Sequence, residues 1–161
     1  MLLSGGGDAL LADFGLSRPS EEGSAAFCAG SKRYMAPEML ARASMTREAL
    51  AAAPPITPTA DVWSLGVLLH EMLCGATRGA EAAEALAAGA AWVPGALPPE
   101  TQPFFSPLLR LMLTRDPEAR PDCSALLQHA AMVPVHHLVH ETEGSGRGRG
   151  CGQTCLCQAT R

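Results

Sequence analysis

Aromatic residues are scarce in this sequence, and it has no excess of basic charge. Phe, Trp and Tyr make up 4% of its 161 residues, and 12 Lys and Arg stand against 16 Asp and Glu, giving a formal net charge of −4. Because nucleic-acid-binding domains usually carry a basic surface, the charge balance predicts that nucleic acid is not a partner. With so few aromatic side chains, Ala, Leu, Val and Met have to fill any core.

Long apolar runs and a targeting segment are also missing. The most apolar stretch, residues 62–74, is shorter than the roughly 20 residues that cross a bilayer, and it contains His70 and Glu71. Residues 1–8 have neither the basic start nor the sustained apolar core of a secretory signal. We therefore expect an intracellular, cytoplasmic protein that has no membrane partner.

What is present predicts a mainly α-helical fold with a short β-hairpin at its start. Residues 1–13 read as two strands around a Gly-rich turn. Residues 14–35 are small and polar without periodicity, which predicts a long loop, and such loops usually act as lids or binding segments. Helices are expected over 37–43, 62–73, 81–92, 106–114 and 123–132.

The helix expected over 62–73 is apolar on nearly every face, so it is predicted to be buried all round. Thr59 supplies a candidate N-cap, Asp61 an acid in the first turn, and Gly75 an end. The three prolines of residues 51–59 exclude a regular helix there.

Four short motifs follow one another along the chain. They are Asp13-Phe14-Gly15, Ala36-Pro37-Glu38, Asp61-Val62-Trp63-Ser64-Leu65-Gly66, and Arg120 within DPEARP. One such tripeptide is weak evidence. All four, in this order and on these element types, resemble the C-terminal lobe of a eukaryotic-type protein kinase over residues 1–132. The alternative is an unrelated helical protein in which each motif arose by chance. Residues 133–161 are expected to be a disordered low-complexity tail.

The resemblance implies a site for ATP and Mg²⁺ around the first motif. Asp13 would bind Mg²⁺, since a hard cation takes carboxylate oxygens. Leu2 and Ala12 fall where the family has the floor of the adenine pocket, Phe14 would pack as a sensor, and Gly15 would act as a hinge. The alternative readings are an ordinary turn residue at Asp13 and plain core residues at Leu2 and Ala12.

The second motif closes a segment that resembles the activation loop of serine/threonine kinases. By that resemblance Ser31 hydrogen-bonds the catalytic centre, and Tyr34 lines the groove for the substrate peptide. Tyrosine kinases usually carry Trp in place of Tyr34, so the resemblance favours Ser/Thr specificity.

Regulation by phosphorylation is a further expectation for this loop. The usual acceptor position is Ala26, and the nearest hydroxyls belong to Ser20 and Ser24. Arg18 could pair with a phosphate on either serine. An unmodified, solvated loop is the alternative.

The last two motifs are expected to be structural. The family pairs Glu38 with Arg120 in a buried salt bridge, and Asp61 accepts hydrogen bonds from the backbone of the catalytic loop, with Trp63 beside it. Between Glu38 and Asp61 the chain is roughly ten residues longer than is common in the family, and residues 51–59 hold the extra loop.

A zinc site is the remaining chemical possibility, and the sequence does not favour it. The donors are His136, His137, His140, Cys151, Cys155 and Cys157. Their spacing does not match common zinc motifs, and the Gly/Arg-rich surroundings offer no core to support a site. No zinc is therefore expected.

Several parts of a complete kinase are expected to be absent from this chain. The family's Gly-rich loop, strand Lys, helix Glu and catalytic-loop Asp and Asn all come before the Asp-Phe-Gly motif, and here residues 1–12 alone precede Asp13. We therefore expect a fragment of a serine/threonine kinase that is inactive by itself and binds neither ATP nor Mg²⁺ tightly. The complete kinase would use both and act on a protein substrate. The alternative is a non-catalytic docking or regulatory module derived from a kinase.

Overall fold

Two short strands and six helices make up the computed structural model, which describes residues 2–17, 31–91, 97–129 and 132. The elements are β1 (Leu2–Leu3), β2 (Ala9–Leu10), α1 (Pro37–Arg42), α2 (Arg47–Ala52), α3 (Thr59–Cys74), α4 (Ala76–Ala87), α5 (Gln102–Met112) and α6 (Cys123–Gln128). Short 3₁₀ turns occupy Phe14–Leu16 and Lys32–Tyr34. The predicted mainly helical fold with an N-terminal hairpin is confirmed.

The hairpin is antiparallel, with Leu2 opposite Leu10 and Leu3 opposite Ala9. Its turn is organised by the hydroxyl of Ser4, which accepts hydrogen bonds from the backbone N–H groups of Gly6 (3.2 Å) and Asp8 (2.9 Å). A backbone hydrogen bond from Ser4 N–H to the Asp8 carbonyl (2.8 Å) closes the same turn. These local contacts hold the two strands together.

Helix α3 is the centre of the fold and packs against α4, α5 and the 3₁₀ turn Lys32–Tyr34. The core that it organises consists of Ala36, Ala60, Trp63, Val67, Ala83, Leu86, Leu97, Leu109 and Leu113. A second cluster of Val62, Leu108, Met112 and Leu126 joins α3 and α5 to α6.

Two glycines allow the helices to approach closely. A Cβ atom on Gly66 would lie 2.9 Å from the Cβ of Met112, and one on Gly79 would lie 2.5 Å from the Cα of Glu71. Real Cβ atoms essentially never come this close, so both contacts require glycine. The second contact brings α4 directly onto the backbone of α3.

The prediction that α3 is buried on every side is wrong. Leu65 is 42% exposed and Met72 is 73% exposed. Helices α4 and α5 pack on other faces of α3, so the described part of the chain leaves this apolar face open to solvent. The helix also begins at Thr59 itself, after Pro58, and no side chain caps it. The Thr59 hydroxyl instead donates to the carbonyl of Pro117 at 3.3 Å.

Several helix boundaries differ from those predicted. Helix α4 begins directly after Gly75, whose φ is +79°, five residues earlier than expected. Helix α5 begins at Gln102 and includes Pro107, while α6 ends at Gln128. Helix α2 was not predicted, although Thr46 caps it by accepting a hydrogen bond from the N–H of Ala49 at 3.3 Å.

Among the helices of the described residues, none combines the length and the apolar character that a membrane span requires.

Candidate functional site

The guanidinium of Arg120 is buried and forms a two-pronged ion pair with Glu38. Nη1 donates to Oε1 at 2.8 Å and Nη2 donates to Oε2 at 3.1 Å. Glu38 lies in the first turn of α1, where a negative charge is favourable. The ion pair therefore connects the start of α1 to the loop between α5 and α6, 82 residues further along the chain.

The other three N–H groups of Arg120 bind backbone carbonyls. They donate to Thr59 (2.9 Å), Thr114 (2.8 Å) and Arg115 (3.3 Å). All five donors of a guanidinium are thus used, and its charge lies 5.2 Å from the centre of the Trp63 ring. A buried cation is stable only when hydrogen bonds and an opposite charge replace the water that it has lost. Removing one partner of a buried ion pair costs about 3–5 kcal/mol.

Residues 31–36, which we call segment 31–36, are fixed to α3 by Glu71. The Tyr34 hydroxyl donates to Oε2 of Glu71 at 2.7 Å, and Nη2 of Arg33 lies 3.0 Å from Oε1. The hydroxyl of Ser64 donates to the Tyr34 carbonyl at 2.8 Å. The hydrogen bond to Glu71 raises the pKa of Tyr34, and burial adds to this effect.

The segment is buried at one end and open at the other. Met35 and Ala36 are buried, whereas Ser31 is exposed. The carbonyl of Ser31 accepts a hydrogen bond from the N–H of Tyr34 at 3.0 Å, which shapes the 3₁₀ turn. The structure thus presents the predicted substrate-binding residue Ser31 to solvent and turns the Tyr34 hydroxyl towards α3.

Sequence reasoning missed Arg33, Ser64 and Glu71 as parts of this arrangement. The one signal that could have pointed to Glu71 is a carboxylate within an otherwise apolar helix. Its partners lie 37 and 38 residues earlier in the chain, so no local pattern identifies them.

Asp13 has an unusual backbone conformation. Its φ is +66° and its ψ is +69°, and within the described residues it is the one non-glycine with a positive φ. This left-handed conformation costs about 1–3 kcal/mol and persists where the surroundings require it. The Asp13 side chain is exposed and does not cap the following 3₁₀ turn.

The other residues predicted to surround a nucleotide are exposed too. Leu2 is 61% exposed, Phe14 is 67% exposed, and Ala12 also faces solvent. Phe14 packs against no core within the described residues, and its role as a sensor stays a prediction. Their exposure also gives no support to the alternative reading of Leu2 and Ala12 as core residues, since no core forms around them within the described residues.

Asp13 is the one predicted metal ligand among these residues. The described residues contain no group of three or more His, Cys, Asp and Glu side chains able to hold a metal. Asp13 therefore offers a carboxylate of the right chemistry for Mg²⁺, but the described part of the chain does not complete a coordination shell, which takes several oxygen ligands.

Of the remaining predicted site residues, some lie within the described part of the chain and others lie outside it. Asp61 is exposed in the first turn of α3, and Gly15 lies in the 3₁₀ turn after Asp13. Arg18, Ser20 and Ser24 lie outside the described residues, as do the His and Cys residues weighed for zinc.

Two further polar features lie in the helical part. His70 is buried on α3, its Nε2 lies 3.4 Å from Sγ of Cys74, and burial lowers its pKa from 6.5. An open groove of about 610 Å³ beside α5 is lined by residues that include Gln102, Arg110 and His129. Ser106 also lines it, and its hydroxyl is buried with no hydrogen-bond partner in the described part of the chain.

Comparison with known proteins gives a consistent result. A family model described as the protein kinase domain matches residues 1–132. Serine/threonine-protein kinase pakE of Dictyostelium discoideum is 34% identical over 125 residues, which cover 74% of this chain and 12% of that protein. Serine/threonine-protein kinase Nek6 of Oryza sativa is 29% identical over 136 residues, covering 83% and 23%.

A human relative adds to these. Mitogen-activated protein kinase kinase kinase 11 of Homo sapiens is 34% identical over 132 residues, which cover 80% of this chain and 14% of that protein. The chain thus spans between 12% and 23% of the length of these three relatives.

Proposed function

This chain belongs to the protein kinase family, and from that premise we propose that it is part of a protein serine/threonine kinase. The complete enzyme transfers the terminal phosphoryl group of ATP to a Ser or Thr hydroxyl of a protein. Residues 1–132 form the kinase portion, resembling a C-terminal lobe, and residues 133–161 form a separate tail.

The observation that carries the proposal is that two side chains, Glu71 and Arg120, hold the stretch from residue 31 to residue 38 against the helical core. Glu71 holds Arg33 and Tyr34, and Arg120 holds Glu38 four residues later. A peptide-docking surface has to be rigid, because positioning of reactants supplies much of the catalysis in phosphoryl transfer. The contacts of Arg33 and Tyr34 with Glu71 hold segment 31–36 on α3, and they leave Ser31 exposed.

Each site residue then has a role in the complete enzyme. Asp13 would contribute a carboxylate to Mg²⁺, and the bound ion would supply positive charge beside the phosphates of ATP. Ser31 and Tyr34 belong to the surface that receives the substrate. Glu38, Asp61, Trp63 and Arg120 stabilise the helical base. Arg18, Ser20 and Ser24 supply a regulatory phosphorylation site and its cationic partner.

The 161-residue chain by itself is proposed to be inactive. A single carboxylate at Asp13 does not hold Mg·ATP, and the groups that orient the attacking hydroxyl in this family precede the Asp-Phe-Gly motif. Positioning of that kind is worth about 7–11 kcal/mol of barrier reduction. The tight ATP binding of a kinase is not expected from exposed Leu2 and Ala12.

The test compares two proteins from the same gene. One is the 161-residue chain, and the other is the polypeptide that includes whatever coding sequence lies upstream in frame. Each is incubated with radiolabelled ATP, Mg²⁺ and a basic protein substrate, and phosphoserine and phosphothreonine are measured. We expect transfer by the longer polypeptide alone, and its loss on Asp13→Ala.

Three outcomes would contradict the proposal. Transfer by the 161-residue chain that disappears with Asp13→Ala would disprove its inactivity. Phosphotyrosine as the product would disprove the Ser/Thr assignment. A folded longer polypeptide that transfers nothing would favour the alternative, a non-catalytic docking or regulatory module.

A further inference from the structure

Glu71 is a carboxylate at the edge of segment 31–36 whose two oxygens are both occupied from within the chain. Oε1 pairs with Arg33 and Oε2 accepts the hydroxyl of Tyr34. The Glu71 side chain is 14% exposed and that of Arg33 is 33% exposed. The ion pair therefore lies close enough to the surface for an approaching peptide to reach it.

The position of Glu71 is set by its surroundings. Gly79 of α4 lies directly against its backbone, and Ser64, two helical turns earlier on the same helix, holds the carbonyl of Tyr34. The carboxylate is thus fixed from the helix side, while its cationic partner Arg33 belongs to the segment itself. Of the two charges, Arg33 has the greater freedom to be replaced.

An occupied carboxylate has little attraction left for a basic ligand. A Lys or Arg of an incoming peptide meets a carboxylate whose charge Arg33 already balances, and displacing Arg33 would gain about the same interaction that it breaks. With exposed Lys32 beside Arg33, segment 31–36 and Glu71 together carry two positive charges and one negative charge. This local excess attracts acidic side chains instead.

We propose that Arg33 is a specificity-determining residue that occupies Glu71 and so directs segment 31–36 towards acidic rather than basic peptides. The inference rests on the proposed function, because it assumes that this segment receives the peptide substrate. Removing Arg33 frees the carboxylate and reverses the preference.

Two labelled peptides of equal length test the proposal. Both have a central Ser, which is flanked by Glu in one peptide and by Arg in the other. Their affinities for the 161-residue chain are measured by fluorescence anisotropy, for the wild type and for Arg33→Ala. We expect the wild type to prefer the Glu peptide, and Arg33→Ala to shift the affinity ratio towards the Arg peptide by about tenfold, as one charge-assisted contact allows.

Three further variants separate this mechanism from a general charge effect. Arg33→Gln removes the charge but keeps much of the side chain, and should act like Arg33→Ala. Lys32→Ala removes a neighbouring positive charge without freeing Glu71, so it should not produce the reversal. The double variant Arg33→Ala/Glu71→Gln should lose the new preference for Arg.

Tyr34 provides an independent readout because it is the one tyrosine of the sequence. Selective ¹³C-tyrosine labelling gives a single ring signal, which should shift in Glu71→Gln. An unchanged signal would show that the pairing does not exist in solution and would overturn the proposal.

The peptide data can overturn it in three ways. These are an unchanged affinity ratio in both Arg33 variants, a reversal that persists when Glu71 is also replaced, and a lack of binding by either peptide to any variant. Failure of the proposed function is seen separately, as absent phosphoryl transfer by the longer polypeptide. Phosphoryl transfer with no effect of Arg33 would disprove this inference alone.

Discussion

The hairpin and the helical core use similar apolar side chains but cover them very differently. Leu3 and Leu11 of the hairpin region are both 75% exposed, whereas Leu109 of α5 is 0% exposed. The hairpin is shaped by hydrogen bonds within its own turn, around Ser4. The helical core is shaped by packing between residues distant in sequence. Leucine side chains therefore stabilise the fold in the helical core, where they are buried, whereas the order of the hairpin comes from hydrogen bonds in its turn.

Breaking the Glu38–Arg120 ion pair should strongly destabilise the fold, because this pair connects α1 to the loop between α5 and α6. Glu38→Ala leaves the Arg120 guanidinium buried without its anionic partner. We expect the free energy of unfolding to fall by about 3 kcal/mol, the lower part of the range for buried pairs, since Glu38 is partly exposed. Urea denaturation measures the change.

The control for this prediction is Glu48→Ala, which removes an exposed carboxylate from the first turn of α2. Its effect should stay within about 0.5 kcal/mol. Equal losses for the two variants would show that the ion pair has no special contribution.

Leucine truncation compares the two regions directly. Leu109→Ala opens a cavity in the core and should cost about 2–5 kcal/mol. Leu3→Ala makes the same chemical change in the hairpin, where the side chain is already in water, and should cost less than about 0.5 kcal/mol. Thermal unfolding followed by circular dichroism measures both. A loss from Leu3→Ala as large as that from Leu109→Ala would mean that the hairpin is covered in solution.

The buried imidazole of His70 should make the stability of the core depend on pH. Because its pKa is lowered from 6.5 by burial, the unfolded chain takes up a proton before the folded chain does. The contribution of neutral His70 is complete above about pH 6.5 and declines as the pH falls towards its folded pKa.

This pH effect is measured by urea unfolding between pH 5 and pH 8. His70→Gln should flatten the part of the profile that lies just below pH 6.5. If the variant keeps the wild-type slope there, another group causes it.

Ser106→Ala should have the smallest effect, and it should be stabilising. The hydroxyl of Ser106 is buried with no partner in the described part of the chain, and alanine also favours the helix. We expect a gain of up to about 1 kcal/mol, measured as a higher melting temperature. A loss of stability would reveal a hydrogen bond from this hydroxyl.

The fold could be predicted from the sequence wherever a local signal fixed an element. The glycine run gave the hairpin, Pro37 gave the start of α1, and Gly75 gave the end of α3. The starts of α4 and α5 were missed because no side chain caps either helix. Helix α5 begins four residues before the expected start at Ser106, with Pro103 in its first turn. Helix α2 was missed because the prolines at positions 54, 55 and 58 predict a loop, while the cap at Thr46 is a weaker signal.

The candidate site was predictable only where a motif identified it. The family motifs indicated Glu38 and Arg120, and the structure places these two side chains in contact. Nothing local indicated that Glu71 binds Arg33 and Tyr34. Its role depends on how α3 meets segment 31–36, and this contact between distant parts of the chain appears only once the helices are packed.

The close packing of Gly79 against Glu71 links the position of α4 to that of segment 31–36. A methyl group at this position would collide with the backbone of Glu71, so α4 or the carboxylate would have to move, and Tyr34 and Arg33 would lose their common anchor. A geneticist mapping loss-of-function alleles could therefore recover a mutation on α4, in a residue with no side chain, that acts by displacing segment 31–36. Compensating changes would be found in segment 31–36 rather than beside the original mutation.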